Sequence, residues 1–128
     1  MADPLKLSAR LRSMRCALRG LRVMVQTQHN AWIHSAITGA VIVTAAVVGL
    51  TGLEWVALVL AIVGVWSAEA LNTAIEFLAD AVSPDHHPLI GRAKDVAAGG
   101  VLVVALGASV VGLVVLGPHL FVAVGLVD

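Results

Sequence analysis

Glu69, Asn72, Glu76 and Asp80 break into an otherwise apolar stretch, within the run Glu69-Ala-Leu-Asn-Thr-Ala-Ile-Glu-Phe-Leu-Ala-Asp80. Their intervals of three, four and four residues put all four on one helical stripe, inside an arc of roughly 80° at about 100° per residue. Upstream, Trp55 to Ala68 is apolar or small and uncharged. A carboxylate at the end of such a run is costly in lipid and marks a functional site by default. Three acids and an amide facing one way suit divalent-cation and phosphate chemistry. Mg²⁺ takes oxygen ligands, commonly one or two carboxylates completed by substrate phosphates, and Glu76 stands where such a ligand belongs. Glu69 lies about two turns deeper. A carboxylate in a drier place suits proton abstraction from an alcohol. Asn72 can orient a neighbour or donate to a phosphate oxygen.

The elements that carry these residues follow from composition. The chain has 128 residues, of which 59% are hydrophobic and 12% charged, with a mean hydropathy of +0.97. A soluble domain of this size has too little interior for that much apolar surface, so the expected class is an all-α membrane protein forming a single domain over 1–128. Three crossings are legible: 35–53, 55–80 and 96–117, the last expected to stop at Pro118. The short link around Thr51 to Glu54 makes the first two an antiparallel hairpin. Before them, Leu7, Leu11, Met14, Leu18, Leu21 and Val25 recur every three or four residues among arginines, which predicts a basic amphipathic surface helix over 6–27.

All eight Lys and Arg lie between Lys6 and Arg22 or at Arg92 and Lys94. The positive-inside rule then places the amino terminus and the 81–95 connection in the cytoplasm and the carboxyl terminus outside. The polar stripe opens to the side that holds nucleotides. Gly39, Gly49, Gly64, Gly99, Gly100, Gly107 and Gly112 lie among Ala and Val in the spans, and small residues let helices approach closely in lipid. Three helices enclose little polar space alone, so an oligomer is expected. No nucleic-acid partner is expected. The single Cys16 excludes an internal disulfide. The first 34 residues lack an apolar core with a small-residue cleavage site, so no signal peptide is expected.

Lys94 and Asp95 open the third span opposite the stripe, with Asp95 suited to a cap or first-turn position. Asp85 and His87 lie in a Pro-bounded connection, Ser83-Pro84-Asp85-His86-His87-Pro88. The paired histidines have no further ligand at zinc spacing. No Gly-rich phosphate loop or protein-kinase signature is present, so phosphoryl transfer here would need another scaffold. The same acids would also serve as structural ion pairs or as part of a proton path. A path needs polar residues toward the far leaflet, and Trp55 to Trp66 supplies none.

The stripe, from Glu69 through Asp80, closely resembles the signature of the prokaryotic diacylglycerol kinase family, small membrane lipid kinases that include undecaprenol kinase. Ala93-Lys94-Asp95-Val96-Ala97-Ala98 is similar to a second motif of that family, and Gly20-Leu21 with Asn30-Ala-Trp-Ile-His34 resembles its amino-terminal region. The resemblance extends over about residues 8–118. It implies three transmembrane helices plus a surface helix, a homotrimer in the bacterial cytoplasmic (inner) membrane, and sites shared between subunits at the cytoplasmic face. It implies phosphorylation of a lipid alcohol, diacylglycerol or undecaprenol, by ATP with Mg²⁺. Glu69 matches the general base and Glu76 a metal-ligating carboxylate. Asn72, Lys94 and Asp95 match positions around the nucleotide. Asp85 and His87 fall where the family's loop meets the nucleotide, and Asp80 matches the acid at the cytoplasmic end.

One position departs from the pattern. Gln28 stands where the family commonly has a second metal-ligating Glu. An amide keeps a carbonyl oxygen but loses the charge, which implies weaker Mg²⁺ binding. The alternative is a catalytically weak or noncatalytic relative that binds nucleotide or lipid. Neighbouring His29, on a helix, would point about 100° away and would not replace the missing ligand. The Asn30–His34 run, Glu54-Trp55 and Gly117-Pro118 look more like the undecaprenol-kinase branch.

Overall fold

The computed structural model describes residues 7–85 and 87–125. Four helices follow in order: α1 (Leu7–Thr27), α2 (His29–Val48), α3 (Gly52–Val82) and α4 (Pro88–Ala123). No strand occurs among the described residues. Helices α2, α3 and α4 are each long and apolar enough to cross a membrane. Lys6, expected to begin the surface helix, lies outside the described residues.

Each span differs in its ends from the sequence expectation, and the reason is local capping. Helix α2 starts at His29 rather than at Ser35, because Asn30 and His34 continue the helix ahead of the apolar run. It closes on Gly49, whose φ of 75° is the left-handed conformation that a glycine adopts without strain. Thr51 then caps α3. Its hydroxyl accepts from the Glu54 amide at 3.4 Å, and the Glu54 carboxylate accepts from the Thr51 amide at 2.8 Å. The turn is therefore 49–51, and Glu54 belongs to the first turn of α3 rather than to the link.

Two expectations about α4 are corrected. It begins at Pro88, where a missing N–H is harmless, with His87 as its cap. Lys94 and Asp95 consequently lie about two turns inside the helix, and Asp95 caps nothing. Pro118 does not stop the helix, which runs on to Ala123. A proline removes one donor to the carbonyl four residues back, a loss that packed membrane helices tolerate. The next residue, His119, places Nε2 2.9 Å from Oε1 of Glu54.

The corner between α1 and α2 is Gln28, an extended residue (φ −104°, ψ 119°) and not part of a continuous helix with His29. Its amide donates to the Met24 carbonyl at 2.9 Å. The Trp32 indole donates to the Val25 carbonyl, satisfying an orphan acceptor at the end of α1. The apolar residues of α1 (Leu7, Leu11, Met14, Leu18 and Leu21) are exposed.

Helix α3 packs most extensively on α4, and α2 lies against both. The main apolar core is Ala45, Leu58, Val115 and Leu116 with Trp55 and Val111 around them. It sits beside the 49–51 turn, at the end of the bundle opposite the polar stripe. Two ion-pair contacts bracket the α3–α4 pair: Glu54 with His119 at one end, and Asp80 with Lys94 at 3.0 Å at the other. The partners are 26 residues apart on α3 and 25 on α4, so the two helices run antiparallel with no slip in register. With 31 residues, α3 is about 46 Å long against a hydrocarbon core of about 30 Å. About 20 residues from Gly52 reach Leu71, so Glu69 falls just inside the apolar layer and Glu76 and Asp80 at or beyond its edge.

Between those ends Gly64 meets α4: a Cβ at this position would stand 3.3 Å from Cγ1 of Val104. Gly64→Ile is expected to wedge the helices apart and lower stability in detergent by about 1–3 kcal/mol. Val104→Ala in the same chain should restore part of that loss. Thermal unfolding of the two single variants and the double variant measures the coupling, and simple additivity would disprove this contact.

Candidate active site

The stripe is built as the spacing predicts, but its members face different surroundings. Glu69 is almost fully buried at 1% exposure, and Asn72 is buried at 5%. Glu76 is half-buried and Asp80 exposed. Thr73, also buried, returns its hydroxyl to the Glu69 carbonyl at 2.8 Å and so places no free polar group in the layer. Asn72 Nδ2 donates to Oε1 of Glu76 at 3.0 Å, across one helical turn. That leaves Asn72 Oδ1 buried without a donor among the described residues. Lys94 of α4 closes the outer end on Asp80.

A cleft of about 340 Å³ lies between the helices here. Asn30 and His34 of α2, Asn72 and Glu76 of α3, and Ala98 and Val101 of α4 line it. The side chain of His34 reaches Glu69, with Nε2 3.0 Å from Oε1. The distance is that of an ion pair, but the ring N–H is not aligned on the oxygen, so Oε1 lacks a hydrogen bond among the described residues. Sequence reasoning placed His34 only in a resembling run and gave it no chemical role. The available signal was the four-residue step from Asn30 to His34, one helical face directed at the stripe.

Other expected site residues stand apart from the cleft. Gln28 forms the α1–α2 corner with no side-chain cap bond. The Asp85 carbonyl accepts from the Ser83 hydroxyl at 2.7 Å. The Nδ1 of His87 accepts from the Leu89 amide at 3.3 Å, capping α4. Asp95 is exposed on α4. His86 lies outside the described residues. Within one chain, then, the structure brings Glu69, Asn72, Glu76 and His34 to one place, and Asp80 and Lys94 to its rim.

Among the described residues no three acids, histidines or cysteines converge on one point to form an all-protein metal cage. The donors present still fit Mg²⁺ shared with phosphates: one carboxylate, Glu76, beside an unpartnered amide oxygen, Asn72 Oδ1.

An all-helical membrane protein with an acid-and-amide cleft at the end of its second crossing is the class that fold and site define. A family model described as prokaryotic diacylglycerol kinase matches residues 15–116. The undecaprenol kinase of Bacillus subtilis (strain 168) is 40% identical over 102 residues, covering 80% of this chain and 83% of that protein. A diacylglycerol kinase of Synechocystis sp. is 42% identical over 112 residues, 84% of this chain but 62% of the relative. The diacylglycerol kinase of Escherichia coli (strain K12) is 30% identical over 96 residues, 70% of this chain and 79% of that protein. The chain belongs to the prokaryotic diacylglycerol kinase family and is by class a membrane lipid kinase.

The rim pair is solvated: the side chains of Lys94 and Asp80 are 38% and 69% exposed. Such pairs contribute about 0–1 kcal/mol. Asp80→Asn is expected to leave thermal unfolding in detergent within about 1 kcal/mol of the parent, and a larger loss would show that this pair holds the α3–α4 register.

Proposed function

We propose that this protein transfers the γ-phosphoryl group of ATP, with Mg²⁺, to the hydroxyl of a membrane lipid alcohol at the cytoplasmic face of the bacterial inner membrane. The observation that carries this reading is the graded stripe. A buried carboxylate, Glu69, stands one turn below a buried amide and two turns below a half-buried carboxylate that lines an open cleft. An alcohol in the bilayer and a phosphate in water meet only at such a boundary.

Glu69 accepts the hydroxyl proton as the lipid oxygen bonds to the γ-phosphorus and ADP departs. Glu76 and Asn72 Oδ1 are the groups that would hold the metal, whose charge neutralises the phosphate oxygens. Lys94 and Asp95 serve the nucleotide from α4, with Asp85 and His87 on the connection beside it. Asp80 supports Lys94. The basic helix α1 lies in the membrane interface, its exposed leucines in lipid and its arginines toward anionic headgroups. Of Gly39, Gly64, Gly99, Gly100, Gly107 and Gly112 within the spans, only at Gly64 would an added Cβ meet a neighbour within 4 Å among the described residues. The rest leave helix faces open to further copies, which supports a homotrimer with sites completed across subunits.

The lipid is undecaprenol or diacylglycerol, as the names of the relatives divide. Purified protein with Mg-ATP, offered each lipid separately, should move labelled phosphate into at least one of them. Glu69→Gln is expected to reduce transfer by a factor on the order of 10²–10⁴ with unfolding temperature retained. Full activity in that variant would remove Glu69 as the base.

Gln28 favours a second reading, a catalytically weak relative that lacks one anionic metal ligand. Gln28→Glu is therefore expected to lower the Mg²⁺ concentration for half-maximal transfer, with activity kept or raised. An unchanged metal requirement would separate position 28 from the metal.

A further inference from the structure

Two cavities meet at His34. One, about 450 Å³, runs between α2, α3 and α4 and is lined mostly by apolar side chains such as Ile37, Leu58, Val65 and Leu116. The other is the polar cleft of Asn30, Asn72 and Glu76. His34 is the one polar side chain common to both. It is also the group 3.0 Å from Oε1 of Glu69, an atom that is buried and lacks an aligned donor among the described residues. A buried, unpaired carboxylate oxygen is strongly disfavoured in apolar surroundings. Rotation about a soft imidazole torsion brings Nε2–H onto it.

We propose that His34 is the positioning residue for Glu69. Its ring donates Nε2–H to Oε1, holds the carboxylate in orientation, and leaves the second oxygen to accept the proton of the lipid hydroxyl. The residue type fits the task. An imidazole donates while uncharged, whereas a Lys or Arg partner would add a full positive charge and make the carboxylate a poorer proton acceptor. Asn72 does not compete for this role, because its amide is engaged with Glu76. Lys94 is held by Asp80 at the rim. The location fits as well. A lipid alcohol arriving from the apolar side and a phosphate held on the polar side converge where His34 separates the two cavities. This inference rests on the kinase reading for its meaning, but the contact it describes is testable without catalysis.

The informative pair of variants is His34→Gln and His34→Asn. A glutamine amide reaches the place of Nε2, and an asparagine amide falls short of Oε1 by one methylene. Both are polar and close to histidine in size. In H34N, kcat for lipid phosphorylation should fall on the order of tenfold to a hundredfold, the usual cost of losing a partner that orients a reacting group, with KM for Mg-ATP unchanged. H34Q should stay within about threefold of the parent. The second readout is modification of Glu69 by a hydrophobic carbodiimide at neutral pH, measured by mass spectrometry. A carboxyl held by a donated N–H is shielded from that reagent, so labelling should be low in the parent and H34Q and several-fold higher in H34N. If both variants lose activity equally, or if H34N labels like the parent, His34 is cavity lining and the proposal is overturned. If the parent transfers no phosphate to either lipid, the kinase reading fails, and the labelling contrast alone decides the His34–Glu69 coupling.

Discussion

Everything in this chain is arranged around one expensive group, the carboxylate of Glu69, buried inside an apolar helix bundle. Isolated charge in hydrocarbon is strongly disfavoured, and water does not share the load at 1% exposure. The fold lowers that cost with a graded environment. An imidazole stands beside the carboxylate, an amide lies one turn above, a half-buried acid follows, and an exposed acid ends the stripe. Polarity thus rises along a single helix face over about 16 Å. That gradient runs from the apolar interior of the bundle to its solvated end.

The gradient is useful only if neighbouring helices keep their height. The apolar core of Ala45, Leu58, Val115 and Leu116 lies at the other end of the bundle, and apolar packing in lipid fixes register weakly because the tails are as apolar as the side chains. Directional contacts do better. Glu54 with His119 and Asp80 with Lys94 mark the two ends of the α3–α4 pair, the half-buried Glu54 contact being the less solvated of the two. The Trp66 indole, bonded to the Thr38 hydroxyl at 3.2 Å, ties α2 to α3 between them. Capping contributes at the same places. Glu54 serves both the Thr51 capping box and the bridge to His119, so the start of α3 and the height of α4 are set by one carboxylate.

The two cavities give that geometry a direction. The larger is nearly all apolar and the smaller carries the amides and the acid. A lipid kinase has to bring substrates of opposite solubility together. His34 and Ala105 line both cavities, so the apolar and polar spaces adjoin at α2 and α4.

The residues by themselves determined much of this. Composition fixed the membrane class, and the uncharged runs fixed the number of crossings. The three-and-four spacing placed Glu69, Asn72, Glu76 and Asp80 on one face, because helical periodicity is a local property. The family was legible from the same run. Helix ends were less legible, since a proline or a polar residue reads as a stop only when nothing nearby compensates. Pro118 stays helical beside the His119 bridge, Lys94 lies two turns within α4, and Gln28 is a corner held in part by Trp32. Only the tertiary structure decided that His34 reaches Glu69, that Asn72 keeps an unpartnered oxygen, and that Lys94 chooses Asp80. Those are contacts between residues distant in sequence or choices among competing donors, and spacing along one helix carries no information about what the next helix brings to it.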